Sequence, residues 1–313
     1  MKKVSIINFK GGVSKTTLSF HLACHLSEKG RVLLIDVDHQ SSLSLVILKN
    51  QWQNYATSGE TTNKVFQSFT NRRVALPGDE IIIRDVMAIN RTHNPYPNLD
   101  LVPAQFELDD TEIDLASTFA SNPALSDWEK RTLLSEWLDS INADQTYDYV
   151  IFDCPPATKI VSQNALAASD GYIVPVIPDE LSSRGVTHFA GLVDRKIDQK
   201  LAFLQNSAQV AADQIPANFI PTTQMVAIVP SLVKTSGNAA SKMTNIHTTQ
   251  LAALRRQWGN AVINTVGKHY IAIPEALNAG LPVWNFWNQN ARRDIKNMMT
   301  RICDELEARI DAL

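Results

Sequence analysis

Residues Lys10-Gly11-Gly12-Val13-Ser14-Lys15-Thr16-Thr17 bring two glycines, two lysines and two adjacent threonines into one short segment. Glycines let a backbone turn tightly and aim successive N–H groups at one point. A lysine at the end of the turn adds a point charge, and the hydroxyls after it suit a hard cation and phosphate oxygens. The chemistry of such a loop is the cradling of phosphate. Two other segments end apolar runs in carboxylates: Leu33-Leu34-Ile35-Asp36-Val37-Asp38-His39-Gln40 and Tyr149-Val150-Ile151-Phe152-Asp153-Cys154-Pro155-Pro156. Carboxylates delivered beside a phosphate cradle order Mg2+ through its waters or position an attacking water.

These groups meet only if strands and helices carry them to one edge. Short β-rich runs lie at Lys3–Asn8, Arg31–Asp36, Leu99–Pro103, Tyr149–Asp153, Gly171–Ile177, Gln224–Val229 and Ala261–Val266. Helical patterns follow most of them, among them Thr16–Lys29, Thr132–Ile141, Ser162–Ala168, Ser182–Lys196 and Thr244–Trp258. Apolar strands alternating with helices predict an α/β fold, a mostly parallel twisted sheet covered by helices on both faces, with ligands at the carboxyl ends of the strands. The Asn-, Thr- and Ser-rich stretch 51–97 breaks the alternation and reads as a lobe inserted into a single domain spanning 1–313; Asn206–Pro221 is a second irregular stretch.

The chain has 313 residues and a net charge of -3, which excludes a protein whose whole surface is a nucleic-acid glove. The charge is uneven: Asp100–Asp148 holds 12 acidic and 2 basic residues, whereas Arg184–Arg301 holds 13 basic and 5 acidic. Cys24, Cys154 and Cys303 form no pair motif, which fits a reducing cytosol. No secretory leader and no apolar run of membrane-spanning length is expected.

The strict phosphate-loop pattern fails, because Phe9 and Ser14 occupy its two glycine positions. Even so, KGGVSKTT, LLIDVDHQ and IFDCPPA together resemble the deviant Walker A ATPases of the ParA/MinD group, and the ParA/Soj partition branch most closely. The likeness extends to Leu99–Ala104 with Glu107-Leu108, to Asn164–Val176, and to Pro274–Val283. It implies a P-loop NTPase fold, ATP and Mg2+ as cofactors, and slow, partner-stimulated hydrolysis to ADP and phosphate.

Residue by residue, the resemblance implies nucleotide contacts along Lys10, Gly11, Gly12, Val13, Ser14, Lys15, Thr16 and Thr17. Lys15 would meet the β- and γ-phosphates, Thr16 the Mg2+ and Thr17 the α-phosphate. Lys10 looks like the signature lysine that reaches the nucleotide of a partner subunit, so a complete site would need an ATP homodimer. Asp38 resembles the carboxylate that supports the hydrolytic water, and Asp36 and Asp153 would hold the Mg2+ hydration shell. The same likeness implies non-specific DNA as a partner, a ParB-like or other cargo adaptor, and a cytoplasmic, nucleoid-associated location. Arg255, Arg256, Lys268, Arg292, Arg293 and Lys296 are the candidate DNA contacts. Three departures stand out. Ser14 replaces a glycine and fits the turn if its φ stays negative; His39 replaces a proline; Ala272 replaces an expected arginine.

Other readings carry less weight. His21, Cys24 and His25 share one helix but lack further ligands, so packing is their expected role. Residues 290–313 hold 5 basic and 5 acidic residues with a regular apolar stripe, which favours a packed helix over the basic membrane anchor of MinD-like relatives. A metabolic enzyme on the same fold is the remaining alternative, and Lys10 argues against it.

Overall fold

The protein is described from a computed structural model, which covers residues 1–89, 91, 94–119, 122–235 and 243–313. Six strands form its sheet: β1 (Lys2–Ile6), β2 (Val32–Asp36), β3 (Leu99–Val102), β4 (Tyr149–Asp153), β5 (Gly171–Val176) and β6 (Gln224–Pro230). Their order is β3-β2-β4-β1-β5-β6 and every adjacent pair runs parallel.

Along the chain the helices are α1 (Lys15–Leu26), α2 (Ser42–Leu48), α3 (Trp52–Ser58), α4 (Thr62–Thr70), α5 (Leu108–Ser117), α6 (Pro123–Ser140) and α7 (Ala143–Thr146). They continue as α8 (Ile160–Ala167), α9 (Glu180–Leu192), α10 (Gln199–Ser207), α11 (Asn245–Trp258), α12 (Ala272–Asn278) and α13 (Arg293–Asp311). A π-helical turn, Val193–Asp198, joins α9 to α10.

Strand side chains alternate between two faces. Leu33, Ile35, Val150 and Phe152 enter one core, beneath α4, α5, α6, α8 and α9. Val4, Ile6, Val32, Leu34 and Ile151 enter the other, beneath α1, α2, α12 and α13. The α/β expectation therefore holds, down to the fully buried strands of a sheet covered on both sides.

One expectation needs adjustment. Residues 261–266 do not form a seventh strand; they contribute one bridge, between Ile228 and Val262. Glu305 of α13 accepts the N–H groups of Asn264 (2.6 Å) and Thr265 (2.8 Å), which takes that backbone away from the ladder. Within 51–97, Val65, Phe66 and Ile81 lie in one core and Trp52, Val86, Met87 and Tyr96 in the other, so the described part of this stretch is built into the sheet's covering layers. Residues 90, 92 and 93 of it fall outside the described residues.

The polar loops gather at the carboxyl end of β1, with β4 on one side and β5 on the other. That is where an open α/β sheet leaves a crevice for a ligand.

Candidate functional site

The glycine-rich loop is tied at its start by Asn8. Its side-chain amide donates to the Pro175 carbonyl at the end of β5 (2.7 Å), and its Oδ1 accepts the Lys10 N–H (3.0 Å). The loop then turns through Gly12, at φ 69°, and Ser14, at φ 73°. A negative φ, the condition under which serine fits here without strain, is therefore not met. The loop closes by a left-handed residue just before α1, and serine takes that conformation although its Cβ is strained there, by roughly 1–2 kcal/mol. Ser14 makes no side-chain cap, so its hydroxyl takes none of the first amides of α1. An uncapped helix start preceded by such a turn is a site for an anion.

The two lysines of the loop point differently. Lys15 is buried, with Nζ on the carbonyls of Asn8 (3.3 Å) and Lys10 (3.2 Å). Burial lowers its pKa, and Asp153 and Asp38 nearby oppose the drop. Lys10 is exposed, and its Nζ sits 2.5 Å from Asp179 Oδ2, beyond the end of β5.

The carboxylates enter from β2 and β4, whose ends are register partners at Asp36 and Asp153. Asp36 is fully buried. Its Oδ1 accepts the Asp38 N–H (3.1 Å), and its Oδ2 accepts the N–H (3.0 Å) and hydroxyl (2.6 Å) of Ser44. Ser44 Oγ in turn accepts the Ala104 N–H at 2.9 Å. Asp36 therefore has both oxygens committed to the β2–α2 turn, and its pKa is raised by burial and by Asp153. Asp153 differs. Its Oδ1 takes the Ser19 hydroxyl (2.8 Å), while its buried Oδ2 makes no hydrogen bond. Burial pushes its pKa up to about 7, with the Ser19 and Thr16 hydroxyls opposing. A buried carboxylate oxygen without a donor is costly. A hydrated cation placed by Thr16 would relieve it, so Asp153 and Thr16 fit Mg2+. Asp36 fits a positioning role, through the turn that holds Asp38.

Asp38 closes that turn itself: Oδ1 accepts the Gln40 N–H (2.9 Å) and its carbonyl accepts the Ser41 N–H (2.8 Å). His39 lies beside it, its Nδ1 3.8 Å from Asp38 Oδ1.

Gly11, Gly12, Ser14, Lys15, Thr16, Thr17, Asp38 and Gln40 line an open cleft of about 410 Å3. Ser14 and Thr17 also border a more apolar cavity of about 240 Å3, walled by Val229, Ile273, Pro274, Met298, Met299 and Ile302. A polar cleft and an apolar cavity that share two wall residues suit phosphates in the one and a flat heterocycle in the other. Val13 is buried in the loop and lines neither space. The sequence reading did not include Asn8, Ser19, Ser44 or Asp179. Only Asp179 carried a readable signal, an acid just past a strand's carboxyl end.

The basic candidates group in part. Lys268 lines a cleft of about 370 Å3 with Tyr270, Asp294, Asn297 and Arg301, and Arg292 stacks over the Tyr270 ring. Lys296 lies over Trp287, and Arg255 donates to the Asn264 carbonyl (2.9 Å) next to Thr265 of that cleft. Arg256 and Arg293 are exposed. His21 and His25 join no site with Cys24. His21 accepts the Val283 N–H on Nε2 (3.0 Å) and donates from Nδ1 to the Thr17 carbonyl (2.7 Å), whereas Cys24 is buried in the core.

An α/β sheet whose first strand ends in a deviant phosphate loop, with acidic strand ends beside it, is the fold of P-loop NTPases of the deviant Walker A type. A family profile described as an AAA domain matches residues 1–206, about two thirds of the chain, and the chain belongs to that family. The chain is 31% identical over 199 residues to an uncharacterised protein of Mycobacterium tuberculosis, covering 63% of this chain and 54% of that one. It is 31% identical over 193 residues to the sporulation initiation inhibitor protein Soj of Bacillus subtilis, covering 61% and 64%. The match thus spans between half and two thirds of these relatives. Among solved structures, apo McdA of Cyanothece superposes with a TM-score of 0.66 at 17% identity, covering 99% of both chains. A putative plasmid partition protein of Borrelia burgdorferi bound to AMPPNP gives 0.63 at 18%, covering 99% and 98%. Cobyrinic acid a,c-diamide synthase of Mycobacterium smegmatis, with an ATP analogue and magnesium, gives 0.61 at 18%, covering 97% and 93%. At such identities the likeness is one of fold, which partition proteins and a synthase share.

Proposed function

We infer that this chain is a nucleotide-operated positioning switch: ATP with Mg2+ drives it into a homodimer, the dimer holds DNA without reading sequence, and a cargo-bound adaptor triggers hydrolysis and release. The observation that carries this reading is the divergence of the two loop lysines. Lys15 turns inward over its own loop, where it would meet the phosphates of its own nucleotide. Lys10 extends outward to Asp179 at the rim. An exposed lysine whose ammonium is held by Asp179, and which does not line its own cleft, would enter a second subunit's cleft once Asp179 releases it.

Within one subunit, the cleft residues would act by position and charge. The amides from Gly11 to Thr17 and the Lys15 ammonium would take phosphate oxygens. Thr16 and Asp153 would hold Mg2+, which when bound neutralises phosphate charge as the bond to the leaving group breaks. Asp38, fixed by its own turn, would orient a water at the cleft mouth, and Asp36 would keep that turn in place. Water attack then needs no covalent intermediate; orientation and charge neutralisation supply the acceleration.

The apolar stripe of α13 is spent on the core rather than offered to a membrane surface. Ile295, Met299, Ile302, Leu306 and Ile310 are buried in the core, and no described helix is long and apolar enough to cross a membrane.

The test is sedimentation of the chain and of Lys10→Ala with ADP and with ATP. The native chain should dimerise with ATP only. Lys10→Ala should remain monomeric and lose hydrolysis, by at least about 100-fold if a charge-stabilising cation is removed. A variant that dimerises and turns over ATP normally contradicts the cross-subunit role.

A further inference from the structure

Trp287 is 93% exposed, at the tip of the segment that leads into α13. A fully presented indole offers a flat, polarisable ring for stacking. Its base is nonetheless fixed. Trp284 Nε1 and Asn285 Nδ2 both donate to the Tyr96 hydroxyl (2.8 and 3.0 Å), and the Val283 N–H is held by His21. Asn288 braces the turn that follows, accepting from Asn290 on its side chain and from Ala291 on its carbonyl (both 2.9 Å). The ring is presented by a framed loop.

A cation accompanies the ring. Lys296 Nζ lies 5.0 Å from the Trp287 centroid and donates to the Trp284 carbonyl at 3.2 Å. A second such pair is close in sequence: Arg292 lies 5.8 Å over Tyr270, at the edge of the cleft that Lys268 and Arg301 also line. Asp294 takes part of the Arg292 charge at 3.1 Å, which leaves the surface cationic overall.

Aromatic faces interleaved with cations suit a polyanion that carries flat rings of its own. A lipid surface would need a broad apolar face, and here α13 buries its apolar stripe while Asp294, Asp304 and Asp311 stand exposed along it. A nucleic-acid strand needs only a narrow track: phosphates on the cations and a base on the indole.

The geometry points to a nucleic-acid surface that grips unpaired bases, with Trp287 as the stacking platform, so that the chain holds single-stranded or locally opened nucleic acid more tightly than closed duplex. This rests on the reading that the basic third of the chain meets nucleic acid, and goes further by naming the form of nucleic acid and the residue that selects it.

The experiment is fluorescence anisotropy of labelled oligo-dT and of a duplex of equal length across a salt series, on protein loaded with a non-hydrolysable ATP analogue. The native chain should bind the single strand at least about five-fold more tightly, since stacking on one aromatic ring is worth that much. Trp287→Ala should lose about five-fold or more on the single strand and under about two-fold on the duplex, with Trp287→Phe close to native. The salt slope should be the same in all three, because no charge changes. At 93% exposure the substitution leaves the fold intact, so a loss reports on the surface. Equal losses on both forms, or no loss on either, overturn the stacking role while leaving charge-based DNA binding standing. Binding to neither form removes the nucleic-acid reading altogether. Trp287-dependent binding to anionic phosphatidylglycerol vesicles in place of the single strand also overturns the proposal.

Discussion

Ser14 shows how a single residue can hide a site from a pattern and still serve it. Serine at φ 73° does what glycine does in the strict motif, at the expense of local strain. Glycine there relaxes the native turn but adds freedom to the unfolded chain, and the two effects are similar in size. Ser14→Gly should therefore change the urea midpoint little, by within about 1 kcal/mol in stability, while letting the loop close more easily on a phosphate. ATP affinity measured calorimetrically should rise, by a few-fold at most. A drop would mean that the serine hydroxyl itself binds nucleotide. The residue types were legible because loop, hydroxyls and carboxylates each follow an apolar run. Their division of labour was not. Whether Asp36 or Asp153 faces a cation depends on Ser44 and Ser19, partners that lie on other elements and carry no motif.

Elements place these side chains through a few long-range bonds. His21, in the second turn of α1, ties the Thr17 carbonyl to the Val283 amide, joining the phosphate helix to the segment before α13. Complete burial drops its pKa to about 4, with the Thr17 carbonyl opposing, against about 6.5 for free histidine. The sign follows: the unfolded chain takes up a proton below about 6.5 while the native state refuses it until about 4, so stability is lost as pH falls through that window. Relative to His21→Asn, the native chain should lose on the order of 3 kcal/mol between pH 7 and pH 4, read from urea midpoints. Parallel pH curves would show that His21 is not held neutral. At this scale the strands were the legible part, because strands buried on both faces read as apolar runs. The run 261–266 has the same composition, yet Glu305, some 40 residues later, claims its amides, and no local pattern encodes that.

The whole molecule is polar in charge. An acidic middle and a basic C-terminal third compensate to a net -3, and several of the basic residues gather around Tyr270 and the start of α13. On the proposed function, one such patch would be a weak DNA ligand; two on an ATP dimer would bind together, and linkage would raise the affinity without any new contact. That is how a mildly acidic chain can serve as a switched DNA binder. The fold class was readable throughout. The surface that two copies would share was not, because composition records how much charge there is and only the fold sets where it points. The most direct measurement is retention of duplex DNA with ADP, with ATP and with a non-hydrolysable analogue, over a salt series. The account predicts retention with ATP and the analogue only, falling steeply as salt rises. Retention that is equal in all three nucleotide states, or absent when the ATP dimer has formed, would contradict it.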